Sequence, residues 1–266
     1  MASIASDIWL SGTTSVATAI RDFLCACLSS GNALILAGPL FLIWSATALR
    51  CAAWLKRATG GRTGYSRKLF HLLTFAAAGS AHLSGGLPYV CALGLATTFV
   101  LAYAIARGAG HPLYEALARE SDAPHRTYYI VTSYLATLAG GVVSNLIAGR
   151  LAFLGYLVCG LGDAAGEPVG TRWGRHWYAV PGPRGHGARR SVEGSAGVFV
   201  ASVVALLGGV ATLSSMSRAV QMSPQLLVMA LLCTLAEALS PHGWDNATMQ
   251  LAPSLLALMW LTECVA

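Results

Sequence analysis

Asp163 and Glu167 stand four residues apart in the stretch Gly162-Asp163-Ala164-Ala165-Gly166-Glu167-Pro168, at the end of an apolar run. On a continuous helix that spacing puts both carboxylates on one face. A carboxylate at membrane depth costs about 2.5–3.5 kcal/mol, and two side by side repel unless a cation lies between them. A hard cation such as Mg2+ takes one or two carboxylates together with phosphate oxygens, so Asp163 and Glu167 are a candidate metal pair. The chain then runs through Arg172, Arg175, Arg184, Arg189 and Arg190, with His176 and His186 and no acid among them. Guanidiniums beside metal-binding carboxylates suit a polyphosphate, because they hold the oxygens that the metal leaves over. Ser191-Val192-Glu193-Gly194-Ser195 opens the next apolar run. The backbone N–H groups of Gly194 and Ser195, at a helix start, favour anions.

Each feature also has a plainer reading. Glycines 162, 166, 170 and 174 recur every four residues, as on a close-packing helix face, and Pro168 would kink or end that helix. The arginines suit a cytoplasmic loop or anionic lipid headgroups. In Arg67-Lys68-Leu69-Phe70-His71 the two cations fit an interfacial anchor, and His71 lies one turn inside the span, on the face of Arg67. Glu237 falls in the last turn of an apolar run, where an acid opposes the helix dipole and needs compensation. Asp245-Asn246 fits a helix cap.

The elements that position these residues are apolar helices. Of 266 residues 55% are hydrophobic and 11% charged, with a mean hydropathy of +0.60, against roughly 25% charged in ordinary soluble domains. Apolar runs recur near 33–49, 67–86, 88–106, 127–147, 150–166, 192–213, 224–240 and 247–262, each close to the roughly 17–25 residues a bilayer-spanning helix needs. The segment 8–30 is weaker, interrupted by Arg21 and Asp22, and "MASIASDIWL" lacks the basic start of a signal peptide. The expectation is a single all-α domain over 1–266, a polytopic transmembrane bundle of about seven to nine spans, with 1–32 weakly hydrophobic.

Fourteen of the 17 basic residues fall in segments 50–68, 107–126 and 167–190. Pairs of spans separate these segments, so they share one side, cytoplasmic by the positive-inside rule. The stretch 240–246 returns to the same side. Five of the 11 acids, Asp163, Glu167, Glu193, Glu237 and Asp245, lie at span ends on that side. Such clustering points to a charged ligand at a membrane surface. The seven cysteines form no CxxC pair and read as small core residues. No P-loop pattern GxxxxGK[ST] occurs.

The series RKxxH, GDxxGxxxGxxxG, the basic loop, RSxEGS and ExxSPxGxDN, in this order over about 67–246, resembles the polyprenol kinase family, which includes dolichol, phytol and farnesol kinases. The resemblance implies an integral membrane enzyme that transfers a phosphoryl group, usually from CTP with Mg2+, to the hydroxyl of an isoprenoid alcohol. Its partners would be that alcohol, the nucleoside triphosphate and the bilayer, with no nucleic acid. It implies that Asp163 serves metal or nucleotide, with Glu167 beside it, and that Arg190 to Gly194 form the nucleotide motif. Many members carry lysine where this chain has Arg190, which leaves the nucleotide open, since the two cations are not interchangeable at a tight phosphate site. Lys68, Arg172, Arg175, Arg189, Arg190, Ser191, Gly194 and Ser195 are then the expected nucleotide-binding residues. Asp163, Glu193 and His71 are the expected catalytic ones, with Asp163 or Glu193 taking the alcohol's proton. Arg67, Glu237, Asp245 and Asn246 complete the polar site. The alternatives are a CTP-dependent lipid cytidylyltransferase and a transporter of an anionic solute, although a transporter places its site near the midplane and often shows repeats.

Overall fold

A computed structural model of the protein describes residues 31–180 and 188–261, with Thr18, Arg21 and Cys25 before them. Most of the 8–30 segment, and Arg184 and His186 of the arginine loop, lie outside the described residues. The chain is all-α apart from one small hairpin. In order come α1 (Gly31–Ala58), α2 (Thr63–Gly85), α3 (Leu87–Arg107), the short α4 (Pro112–Glu115), α5 (Arg126–Ala148) and α6 (Ala152–Val158). A π-turn over Cys159–Asp163 leads into α7 (Ala164–Trp173). Strands β1 (Trp177–Val180) and β2 (Ala188–Ser191) follow, then α8 (Val192–Leu213), α9 (Met216–Gln221), α10 (Ser223–Leu239) and α11 (Asp245–Trp260).

Four helical stretches are long and apolar enough to cross a bilayer: 34–58, 87–107, 126–173 and 192–213. The protein is a multi-pass membrane protein. Its outer surface agrees, since Ile35, Leu36, Val200, Val204 and Leu239 are all more than half exposed, a placement that costs nothing only against lipid. A straight helix of 48 residues would reach roughly 72 Å, at about 1.5 Å per residue, far beyond a hydrocarbon core of about 30 Å. The stretch 126–173 is not straight. It reverses at Gly149-Arg150-Leu151, where Gly149 takes a positive φ of 50°. Tyr156 thereby meets Asn145 near the turn, while Cys159 and Ser133, farther from it on either arm, both reach Asn246.

α1 is longer than the apolar run 33–49, because it continues through Arg50, Lys56 and Arg57. Basic residues are good helix formers, and a helix C-terminus favours them. The break near the glycine stripe falls at the π-turn and not at Pro168, which α7 carries inside it. The glycines themselves are a packing face. A Cβ on Gly162 would lie 2.8 Å from Ser202 Oγ, one on Gly166 2.8 Å from Val198 Cγ2, and one on Gly170 2.8 Å from Ser191 Oγ. The stripe lets the π-turn and α7 lie flat on α8.

Residues 171–190 are not all loop. Trp177 pairs with Ser191 and Val180 with Ala188 in the antiparallel β1–β2 hairpin. Ser191 then N-caps α8, its Oγ accepting from Gly194 N at 3.0 Å.

Candidate functional site

One end of the bundle holds a layer of ion pairs that joins elements far apart in sequence. Lys56 at the end of α1 bonds Glu120 at 2.7 Å, and Arg126 at the start of α5 bonds Glu115 at 2.6 Å. Arg119 bonds Glu167 on α7 at 2.5 Å, and His242 approaches Asp122 at 3.4 Å. Arg190 on β2 reaches Glu237 at 3.2 Å and Asp245 at 3.3 Å. Residues from 50–68, 107–126, 167–190 and 240–246 therefore meet at one end. Burial would raise the Asp122 carboxyl, but the His242 hydrogen bond and the Arg119 charge hold it below its usual value.

The layer deepens into the bundle at Asp163, the last residue of the π-turn, 4% exposed. A π-turn widens the helix by one residue, and such turns are frequent at functional sites. Lys68 Nζ, itself 8% exposed, donates to Asp163 Oδ2 at 2.7 Å. Lys68 is thus a buried counter-ion and not an interfacial anchor. His71, one turn on, sets Nε2 3.3 Å from Asp163 Oδ2 and 2.9 Å from Cys159 O. With two acceptors in front of it, that nitrogen carries the proton. The cation that shares its working face is Lys68. Arg67 lines the adjoining passage.

Asp163 gathers with Glu237 and Asp245, and one oxygen from each lies within 4.8 Å of the others. Glu167, expected beside Asp163, lines the same chamber but pairs with Arg119 and stands outside this cluster. A buried carboxylate takes the cation that tertiary packing offers it, and α7 faces the loop that carries Arg119. Asp245 is not the helix cap expected of it. The N-cap position of α11 is Trp244, without a side-chain bond, and Asp245 Oδ2 accepts from Arg190. Glu237, for which a compensating charge was expected, receives Arg190 at both its carboxylate and its backbone carbonyl. Three clustered hard oxygens fit a divalent cation such as Mg2+.

These groups wall a chamber of about 450 Å³, lined by Lys68, Asp163, Arg189, Arg190, Glu237 and Asp245 among others. Ser191, Gly194 and Ser195 line it too. The Gly194 N–H expected to meet an anion is already taken by the Ser191 cap, and Ser195 Oγ lies 2.7 Å from Tyr178 OH. Arg172 and Arg175 are exposed and lie outside the lining, with the Arg172 guanidinium 5.4 Å from the Trp173 ring. Glu193 is outside it as well. It accepts from the backbone N–H of Arg175 and of His176 and pairs with the His176 ring at 2.7 Å, so it braces the turn before β1. Asn246 is buried and donates to Ser133 and Thr137, which ties α11 to α5.

Below the chamber lies a narrow passage of about 80 Å³ that shares Lys68 and Asp163 with it. Next to the passage lies an apolar slot of about 360 Å³ between α3 and α5, with which it shares the wall residues Thr74, Phe75, Thr97, Tyr134 and Thr137. Comparison with protein-family models, curated proteins and solved structures finds no match for the chain.

Sequence reasoning missed Arg119, Asp122, His242 and the residues that line the slot. Glu115, Glu120 and Asp122, three acids in a basic segment, were the available signal for the first three. The slot has none, because its lining is ordinary span sequence.

Proposed function

We propose that this protein is a membrane lipid kinase that transfers a phosphoryl group from a nucleoside triphosphate, CTP foremost, to the hydroxyl of an isoprenoid alcohol. The observation that carries this reading is the row of three neighbouring cavities that share walls. A charged chamber shares the buried pair Lys68–Asp163 with the small cavity beside it, and that cavity in turn shares five wall residues with the apolar slot. An enzyme that joins a triphosphate to a lipid alcohol needs that proximity, because one reactant is aqueous and the other lives in the bilayer. The order of motifs shared with polyprenol kinases supports the choice of reaction.

In this reading α1, α2, α3, α5, the α6–α7 pair, α8, α10 and α11 all cross the membrane, within the seven to nine spans expected, and the ion-pair layer faces the cytoplasm. Asp163, Glu237 and Asp245 would hold Mg2+, which when bound neutralises charge on the transferring phosphate. Lys68, Arg189 and Arg190 bind and orient the triphosphate. The alcohol arrives through the passage, and its oxygen attacks the γ-phosphorus while the bond to the β-bridging oxygen breaks and the nucleoside diphosphate leaves. Of the two carboxylates considered for the alcohol's proton, Asp163 is favoured, because it faces both chamber and passage and Glu193 faces neither. His71 already donates at Nε2, so it orients Asp163 and does not act as a base there.

The test is incubation of the purified protein in detergent with labelled CTP, ATP or UTP, Mg2+ and a panel of prenols. A prenyl phosphate with a nucleoside diphosphate supports the reading. Release of pyrophosphate would assign a cytidylyltransferase instead, and no turnover with any alcohol would overturn the kinase.

A further inference from the structure

Of the five residues that wall both the slot and the cavity beside Lys68–Asp163, the largest that also hydrogen-bonds across helices is a tyrosine. Tyr134 projects from α5, lines the passage and the slot, and places its hydroxyl against α3. Its OH donates to Gly94 O at 2.8 Å and lies 2.8 Å from Thr98 Oγ1. The staple fixes in place a ring that walls both cavities. The passage beneath it, at about 80 Å³, has less than a quarter of the slot's volume. The slot itself is not closed on the outside. Leu95, Thr98 and Val142 line it and are exposed on the face that lipid would cover, so a long tail can leave sideways between α3 and α5.

We propose that Tyr134 is a specificity-determining residue: its ring, stapled to Gly94 and Thr98, admits to Asp163 only alcohols that are slim next to the hydroxyl, while tail length goes unread. The proposal rests on the kinase reading. Selection acts at the ring because the space there is small and its walls are tied by hydrogen bonds. It does not act farther out, where a chain can pass into the bilayer.

Two measurements separate this proposal from that reading. In the first, kcat/KM is compared for farnesol, a longer prenol, and a farnesol analogue with a methyl on the carbinol carbon. The unaltered protein should treat the two prenols alike within a few fold and disfavour the branched alcohol. Tyr134→Ala should narrow that preference by about tenfold or more, mainly through KM of the branched acceptor, since one methyl against a tight wall is worth roughly 10–200-fold. Tyr134→Phe keeps the ring and should keep most of the preference. An unchanged preference in a folded Tyr134→Ala protein overturns the proposal and leaves the kinase standing. In the second, a diazirine-bearing farnesol is photo-crosslinked to protein without nucleotide and the labelled peptides are mapped. Label on peptides carrying Thr74, Gly94 or Thr137 should persist in Tyr134→Trp, while label near His71 and Asp163 is lost. Label near Asp163 that survives Tyr134→Trp overturns the proposal whether or not the protein proves to be a kinase, and it serves as the deciding measurement should Tyr134→Ala fail to fold.

Discussion

The chamber and the slot draw on some of the same helices, α2 above all, yet are built on different physics. The first turns of α2 send Lys68 and His71 to Asp163, and its middle turns send Thr74, Phe75 and Ala78 into the slot. In the chamber, placement follows from charge. A carboxylate at low dielectric must find a cation, and each of Asp163, Glu167, Glu237 and Asp245 has found one. In the slot, placement follows mainly from packing, with neutral hydrogen bonds at Tyr134, Asn145–Tyr156 and Gln250 and no ion pair among the described residues. Apolar walls pay no comparable penalty for a shift or an opening. The chamber is therefore over-determined and intolerant of single changes, whereas the slot is shaped loosely enough to take a flexible chain.

The largest expected effect sharpens that contrast. Lys68→Met leaves Asp163 charged, buried and short of its nearest cation, and breaking one side of a buried pair costs about 3–5 kcal/mol. Leu138→Ala on the slot wall should cost about 1 kcal/mol, the centre of the range for point changes. Thermal melts of both variants in the same detergent make the comparison. Equal losses would mean that the Lys68–Asp163 pair does not anchor the fold.

Next in size is Asp163→Asn. The amide keeps an oxygen but loses the charge that a hard cation needs. Turnover should fall by roughly a hundredfold or more, about 2.7 kcal/mol in barrier, in a Mg2+ titration with a short prenol. Yield and melting temperature serve as fold controls. Near-normal activity in a folded variant would remove Asp163 from the site and return the glycine–aspartate stretch to a packing face.

The smallest effect concerns the rim of the charged layer. The Arg126 hydrogen bond, outweighing partial burial, draws the Glu115 carboxyl from 4.5 to about 2. A carboxyl lowered on folding adds stability above its unfolded value, and that stability is lost as pH falls through its folded value. Stability from this pair is then complete above pH 4.5 and declines between about 4.5 and 2. The melting-temperature gap between the unaltered protein and Glu115→Gln should be constant from pH 7 to 5 and shrink below 4.5. A gap that does not depend on pH would assign Glu115 a packing role and no electrostatic one.

Much of this was legible along the chain. The lengths of the apolar runs located the helices within a few residues, except where α1 carried on through its basic end and where α7 ran past residue 166 to Trp173. The alternation of basic segments with pairs of runs placed the charged ends together, because each crossing reverses direction. Asp163 stood out because an acid at the end of an apolar run is costly and so has a use. What four-residue spacing could not reveal is which partner each acid takes. Spacing compares neighbours on one helix, and it suggested Glu167 beside Asp163. Tertiary packing instead laid the glycine face on α8, turned Glu167 to Arg119, and brought Glu237 and Asp245 from two other helices to Asp163. It also drew Arg190, on β2, to Glu237 and Asp245, while Arg172 at the end of α7 and Arg175 before the hairpin stayed exposed. Composition and periodicity determined that this is a membrane bundle with one charged end, because those properties sum over a single helix at a time. The identity of the ion pairs and the existence of the slot depended on distances between helices, and only the folded chain sets those.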